Sequence, residues 1–383
     1  MRELALQARS DRQLRDPGRR ESRLDSLTSL RFVAALLVFG NHAADHYLTP
    51  ATQPYVALQT GFIGVTFFFV LSGFVLTWAR KADEPRAGFY RSRVARIVPD
   101  YLVAWVIALP VAIATGLVLT RLGVVASLGL VQAWFPDPDV HFAVNPVGWT
   151  LSVEAFFYLT FPFLVGPLGR LAGRARAVAM FGCVAATFGW AVLGYLAAPD
   201  ARHWIAYVFP LARLPEFVLG ILLAHAVRAG GWQRVRLGPA LLATAAAWGL
   251  VLVVPRPFRI ATVVVVPFAL VIAAAAHADQ AGRTPRLLGA RAMVRLGEWS
   301  YAFYLLHELV IRGFTDQLGL DDLEAGTAAV AVLVLLLVAI AASGLMVALV
   351  EKPAQRWLRA RWSARPAPVA ARSDARGARS ARQ

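Results

Sequence analysis

Apolar residues run along most of this chain in blocks of about twenty, broken by short polar connections. The blocks lie at 27–46, 61–79, 98–118, 146–166, 177–197, 204–227, 237–254, 259–276, 295–314 and 325–350. As helices rising about 1.5 Å per residue, they match a hydrocarbon layer of about 30 Å. Backbone placed in lipid must satisfy its own hydrogen bonds, so the pattern predicts an all-α, polytopic transmembrane helical bundle of about ten spans. Gly123 to Trp134 is apolar over only twelve residues, which suits a re-entrant or interfacial piece; if it crosses, the spans number eleven.

Composition agrees with this pattern. Over 383 residues, 58% are hydrophobic and only 16% charged, which does not describe a soluble domain. The net charge of +16 has a topological meaning. Thirty-two Lys and Arg fall in the amino-terminal tail, the even-numbered connections and the carboxy-terminal tail, against five in the odd-numbered connections. Cytoplasmic connections carry such an excess, so both termini are expected in the cytoplasm and the chain in the cell membrane. Because the basic residues are spread along one rim and the tails, nucleic acid is not the expected partner; the lipid bilayer is.

Residues 1–22 and 361–383 are rich in Arg, Ala, Pro and Ser and are expected to be disordered basic tails around a membrane domain at 23–360. No cleavable signal is evident. Cys183 is the only cysteine, which excludes internal disulfides and thiolate metal clusters. With no HExxH pattern either, no metal is expected. The chain shows no internal repeat, inverted pair of broken helices or glycine-rich phosphate loop.

Against this apolar background Arg31 and His42 stand out. An ionisable side chain in hydrocarbon costs several kcal/mol, so it normally faces a protein interior or wet cavity and marks a reactive site or pathway. Eleven residues at about 100° each bring the two onto one helix face, about 16 Å apart. Among the other ionisable residues inside the spans, Glu154, Arg213, Glu216 and His307 are candidates for the same reason. A multi-span transporter using intramembrane His, Arg and Glu is the alternative to an enzyme, although the missing repeat architecture removes its usual support.

Six motifs occur in a recognisable order: Arg31-x10-His42; Phe67-Phe68-Phe69-Val70-Leu71-Ser72-Gly73-Phe74; Arg93-x2-Arg96-Ile97-x-Pro99; Trp149-Thr150-Leu151-Ser152-Val153-Glu154; Tyr304-Leu305-Leu306-His307; and Glu351-Lys352-Pro353. Together they resemble the integral-membrane acyltransferase-3 family from about Ser26 to Leu358. That family contains O-acyltransferases acting on surface polysaccharides, peptidoglycan, lipid-linked sugars and macrolide-like secondary metabolites. The chain resembles its stand-alone members, without an SGNH hydrolase-like domain. The resemblance implies an acyl-CoA donor, acetyl or short-chain, and a hydroxyl-bearing carbohydrate or secondary-metabolite acceptor.

It also implies a catalytic role for His42. The chemistry agrees, since acyl transfer to an alcohol needs a base near neutral pH. Glu154 comes to a similar outer depth on another span, so it is expected to orient His42, with Arg213 as its other possible partner. Arg213 and Glu216, three residues apart, are expected to close a buried network. His307 matches the family's Tyr-Leu-x-His pattern and otherwise reads as helix packing. Arg93 and Arg96, in a basic loop before the third span, are suited to the phosphates of acyl-CoA, with Arg31 pointing toward the same donor. His46 reads as a boundary residue, and Ser72-Gly73 as a close helix approach.

Overall fold

The computed structural model describes residues 24–47, 58–81, 84–318 and 323–363. The tails 1–22 and 364–383 lie outside them. All regular structure in the described residues is helical. In chain order the helices are α1 (Asp25–Tyr47), α2 (Gly64–Ala79), α3 (Arg86–Ala114), α4 (Arg121–Leu128), α5 (Pro138–His141), α6 (Trp149–Arg170), α7 (Gly173–Leu196), α8 (Pro199–His203), α9 (Pro210–Arg228), α10 (Leu237–Val251), α11 (Arg256–Arg259), α12 (Val265–Gln280), α13 (Arg291–Leu318), α14 (Ala325–Met346) and α15 (Lys352–Ser363). Single π-helical segments occupy Trp204–Val208, before α9, and Val347–Glu351, between α14 and α15.

Among the described residues, seven helices are long and apolar enough to cross a membrane, and α10 and α12 are shorter apolar helices. The expected ninth span falls on α13, which is 28 residues long but is not one of those seven. Its mean hydropathy is held down by Arg295, Glu298, Glu308 and Arg312. The chain is a polytopic helical bundle. The expected interfacial piece resolves into α4 and a 3₁₀ turn at Gln132–Trp134, both too short to span. Within the adjoining connection His141 is buried beside the Phe135 carbonyl, and that burial pushes its imidazole below the usual value.

Helices α1, α2, α9 and α12 form the centre, with α13 laid along α1. On α3, α6, α7, α10 and α14, large apolar side chains such as Val106, Leu159, Phe181, Leu242 and Leu345 face outward. That girdle suits lipid rather than water. Where α2 crosses α9, a Cβ on Gly73 would overlap the Phe217 carbonyl and one on Gly220 the Val70 carbonyl. Only glycine at both positions lets the backbones meet.

Polar ties sort the connections onto two ends. At one end Arg228 donates to the Trp78 carbonyl, Arg176 to that of His225, Ser26 to Asp279, Ser29 to the Leu288 carbonyl, and Arg96 to Glu351. At the other end Tyr47 meets Thr315, and Trp204 donates to the Ala133 carbonyl. These groupings follow the alternation of basic and basic-poor connections.

Two sequence expectations are corrected. Arg93 and Arg96 lie within α3, not in a loop, because the helix starts at Arg86, directly after Pro85, and continues through Pro99. Arg and Ala are good helix formers, so the basic stretch extends the span inward as helix. At the carboxy end, α15 reaches Ser363, three residues into the segment expected to be a tail.

Candidate active site

Two helices build the part of the site farther from the basic end. Helix α1 brings His42 and His46, one turn apart, and α13 brings Tyr304, His307, Glu308 and Arg312 at one-turn spacings. Glu308, almost fully buried, joins them. Its Oε2 lies 3.2 Å from His42 Nδ1, and its Oε1 lies 2.6 Å from Arg312 Nε and 3.8 Å from His46 Nε2. A carboxylate beside Nδ1 favours the proton on that nitrogen, leaving Nε2 of His42 with its lone pair. About a quarter of the His42 side chain remains accessible, so a hydroxyl group can approach it.

The His307 ring lies 5.3 Å from that of His42. It is fully buried, with Nδ1 3.2 Å from the Phe303 carbonyl and Nε2 without a hydrogen-bond partner among the described residues. One ligand atom from each of His42, His307 and Glu308 falls within 4.8 Å of the others. A cation could be held from such a spacing. Arg312 already pairs with the same carboxylate, however, so a multiply charged ion would be opposed there more strongly than the single charge of a proton. The group is better suited to handling a proton.

Below this cluster, toward the basic end, a cavity of about 150 Å³ opens into the bundle. Arg31, Arg93 and Arg96 line it together with Ser72, Glu154 and Tyr158. The arginines come from two helices, α1 and α3, yet all three meet this one space. Arg96 is held 3.3 Å from Glu351, which the π-helical segment Val347–Glu351 turns inward. Higher up, Tyr301, Tyr304 and Phe68 also line the cavity. Tyr304 lies 5.6 Å, ring to ring, from His307. Both α1 and α13 therefore run from the cavity to the histidines, with Arg31 and His42 on one and Tyr304 and His307 on the other.

Glu154 sits elsewhere than expected. It accepts hydrogen bonds from Tyr158 and from Ser72 Oγ, the latter at 3.4 Å, and faces the arginine-lined cavity. Equal depth places two residues at one height and leaves their direction open. Helix α6 packs mainly on α9, whereas α1 packs on α13, and α13 supplies the carboxylate beside His42. Arg213, the alternative partner of Glu154, instead lies 3.1 Å from Glu216 and donates to Thr66, between the rings of Phe69 and Tyr207. Glu308 was the residue missed, although a signal existed: Glu308 and Arg312 form an acid–base pair inside a predicted span.

Comparison with known proteins identifies the family. The family model Acyl_transf_3, described as an acyltransferase domain, matches residues 24–348. The chain belongs to this acyltransferase family. Acyltransferase MdmB of Streptomyces mycarofaciens is 38% identical across 92% of this acyltransferase and 97% of its own length. Exopolysaccharide production protein ExoZ of Rhizobium meliloti is 31% identical across 66% of this chain and 77% of its own. O-acetyltransferase OatA of Staphylococcus aureus is 26% identical across 44% of this chain and 30% of its own. No solved structure gives a significant match to this acyltransferase.

Proposed function

We propose that this acyltransferase moves an acetyl or other short acyl group from acyl-CoA to a hydroxyl of a glycan, lipid-linked sugar or macrolide-like acceptor, with His42 as the base. The observation that carries this reading is the alignment of an arginine-lined cavity with the His42–Glu308 pair along the same two helices. Arg31, Arg93 and Arg96 offer guanidinium groups to the donor's phosphates, and the thioester arm extends into the cavity. The site lies in the cell membrane, with the arginine mouth on the cytoplasmic side where coenzyme A thioesters are made.

In the reaction, Nε2 of His42 takes the acceptor hydroxyl proton while that oxygen attacks the thioester carbonyl carbon. The carbon–sulfur bond breaks, and the departing thiolate recovers the proton from the imidazolium. Glu308 orients the ring and offsets its transient charge, and Arg312 holds Glu308 in place. Glu154, bound to Tyr158 and Ser72, helps shape the donor cavity.

Membranes containing the chain, incubated with labelled acetyl-CoA and hydroxylated glycans or macrolides, should yield an ester-linked acylated product. His42→Ala should insert normally and give none. Near-normal turnover in that variant would remove His42 from the mechanism.

A further inference from the structure

The run Phe67-Phe68-Phe69 sends its three rings in different directions. Phe67 packs edge-on against Phe268 at 5.5 Å, and Phe69 against Phe157 at 5.2 Å; both are buried. Phe68, between them, is only partly buried because it lines the cavity. It also borders all three of the large apolar clusters that make up the bundle's interior. Its ring meets Tyr304 edge-on at 5.9 Å, and Tyr304 in turn meets His307 at 5.6 Å. Two aromatic rings in edge contact therefore stand between the arginine-lined space and the histidines.

These rings differ in how firmly they are held. The hydroxyl of Tyr304 is 3.1 Å from Thr150 Oγ1, whereas Phe68 has only apolar packing to hold its rotamer. A donor entering from the arginine end must bring its thioester carbonyl past or up to this pair. The acyl tail beyond that carbonyl must then lodge against whatever the pair leaves open.

We infer that Phe68, braced on Tyr304, is the gate between donor cavity and base, and that it sets the length of acyl chain the enzyme accepts. This deepens the proposed function and rests on its donor assignment. Apolar walls distinguish chains by about tenfold or more per methylene when the fit is close. A ring at the end of the cavity therefore favours acetyl, and removing it makes room for several methylenes. Enlarging the ring should have the opposite effect, a reversal of sign that general destabilisation would not produce.

The test needs no acceptor. Purified full-length chain in detergent is loaded with labelled acetyl-CoA, which is displaced by unlabelled acetyl-, butanoyl- or hexanoyl-CoA. Wild type should prefer acetyl-CoA over hexanoyl-CoA by about tenfold or more. Phe68→Ala, or Phe68→Leu if the alanine variant does not fold, should narrow or invert that ratio, and Phe68→Trp should widen it. Equal ratios in wild type and the smaller-residue variant would overturn the gate while leaving the donor site intact. Failure of wild type to bind acetyl-CoA at all would overturn the donor reading and the gate with it.

Discussion

At the scale of single residues, the histidine site depends on one carboxylate serving three partners. Glu308 has Arg312 at 2.6 Å, His42 at 3.2 Å and His46 at 3.8 Å. If its role is to orient His42, Glu308→Gln should lower turnover strongly with little effect on donor affinity. Adding His42→Ala should then cost little more, because residues acting as one unit are not additive. Fully additive losses in this pair, measured as labelled product per unit of inserted protein, would separate the two residues. Glu154→Gln is expected to behave differently and alter donor affinity, since Glu154 faces the arginines. Arg31 and His42 were legible from the sequence because an ionisable group in a membrane span is costly wherever it points. The partner of His42 was not legible, because periodicity gives a side chain's direction on its own helix and leaves the neighbouring helix open. Glu308, by contrast, was open to the same cost argument that singled out Arg31.

At the scale of elements, the apolar blocks marked most helices well and their charged extensions poorly. The predicted third span begins at residue 98, while α3 begins at Arg86, because hydropathy ends where lipid ends and helix propensity does not. The helical setting spaces Arg93 and Arg96 one turn apart on the same face, where both line the cavity. Replacing both with alanine should weaken acyl-CoA binding by about 1.5–3 kcal/mol for each charged hydrogen bond removed, while acceptor binding holds. Donor affinity measured on the inserted double variant checks this, and an unchanged value would leave both arginines to topology. The π-helical segment ahead of α15 makes a related prediction. Glu351, buried and 3.3 Å from Arg96, positions that guanidinium, so Glu351→Gln should reduce donor affinity by less than Arg96→Ala. In an Arg96→Ala background Glu351→Gln should add nothing further, and an independent loss of donor binding would show that Glu351 acts by another route.

At the scale of the whole molecule, the proposed chemistry requires the two ends of the bundle to face different compartments. The arginine mouth of the cavity belongs to the end where basic connections gather, and His42 to the half nearer the other end. Thirty-two against five Lys and Arg predict that the basic end is cytoplasmic. The chain's single cysteine makes this directly testable, because Cys183 is buried and should stay silent. Asp139 and Arg234 are both exposed, on connections at opposite ends. In intact cells a membrane-impermeant maleimide should label Asp139→Cys and leave Arg234→Cys unlabelled until the membrane is opened. The reverse pattern would place Arg93 and Arg96 outside, away from the cytoplasmic pool of coenzyme A thioesters. The arginines would then have to meet lipid headgroups or an anionic acceptor, and the donor would have to enter from the side of His42.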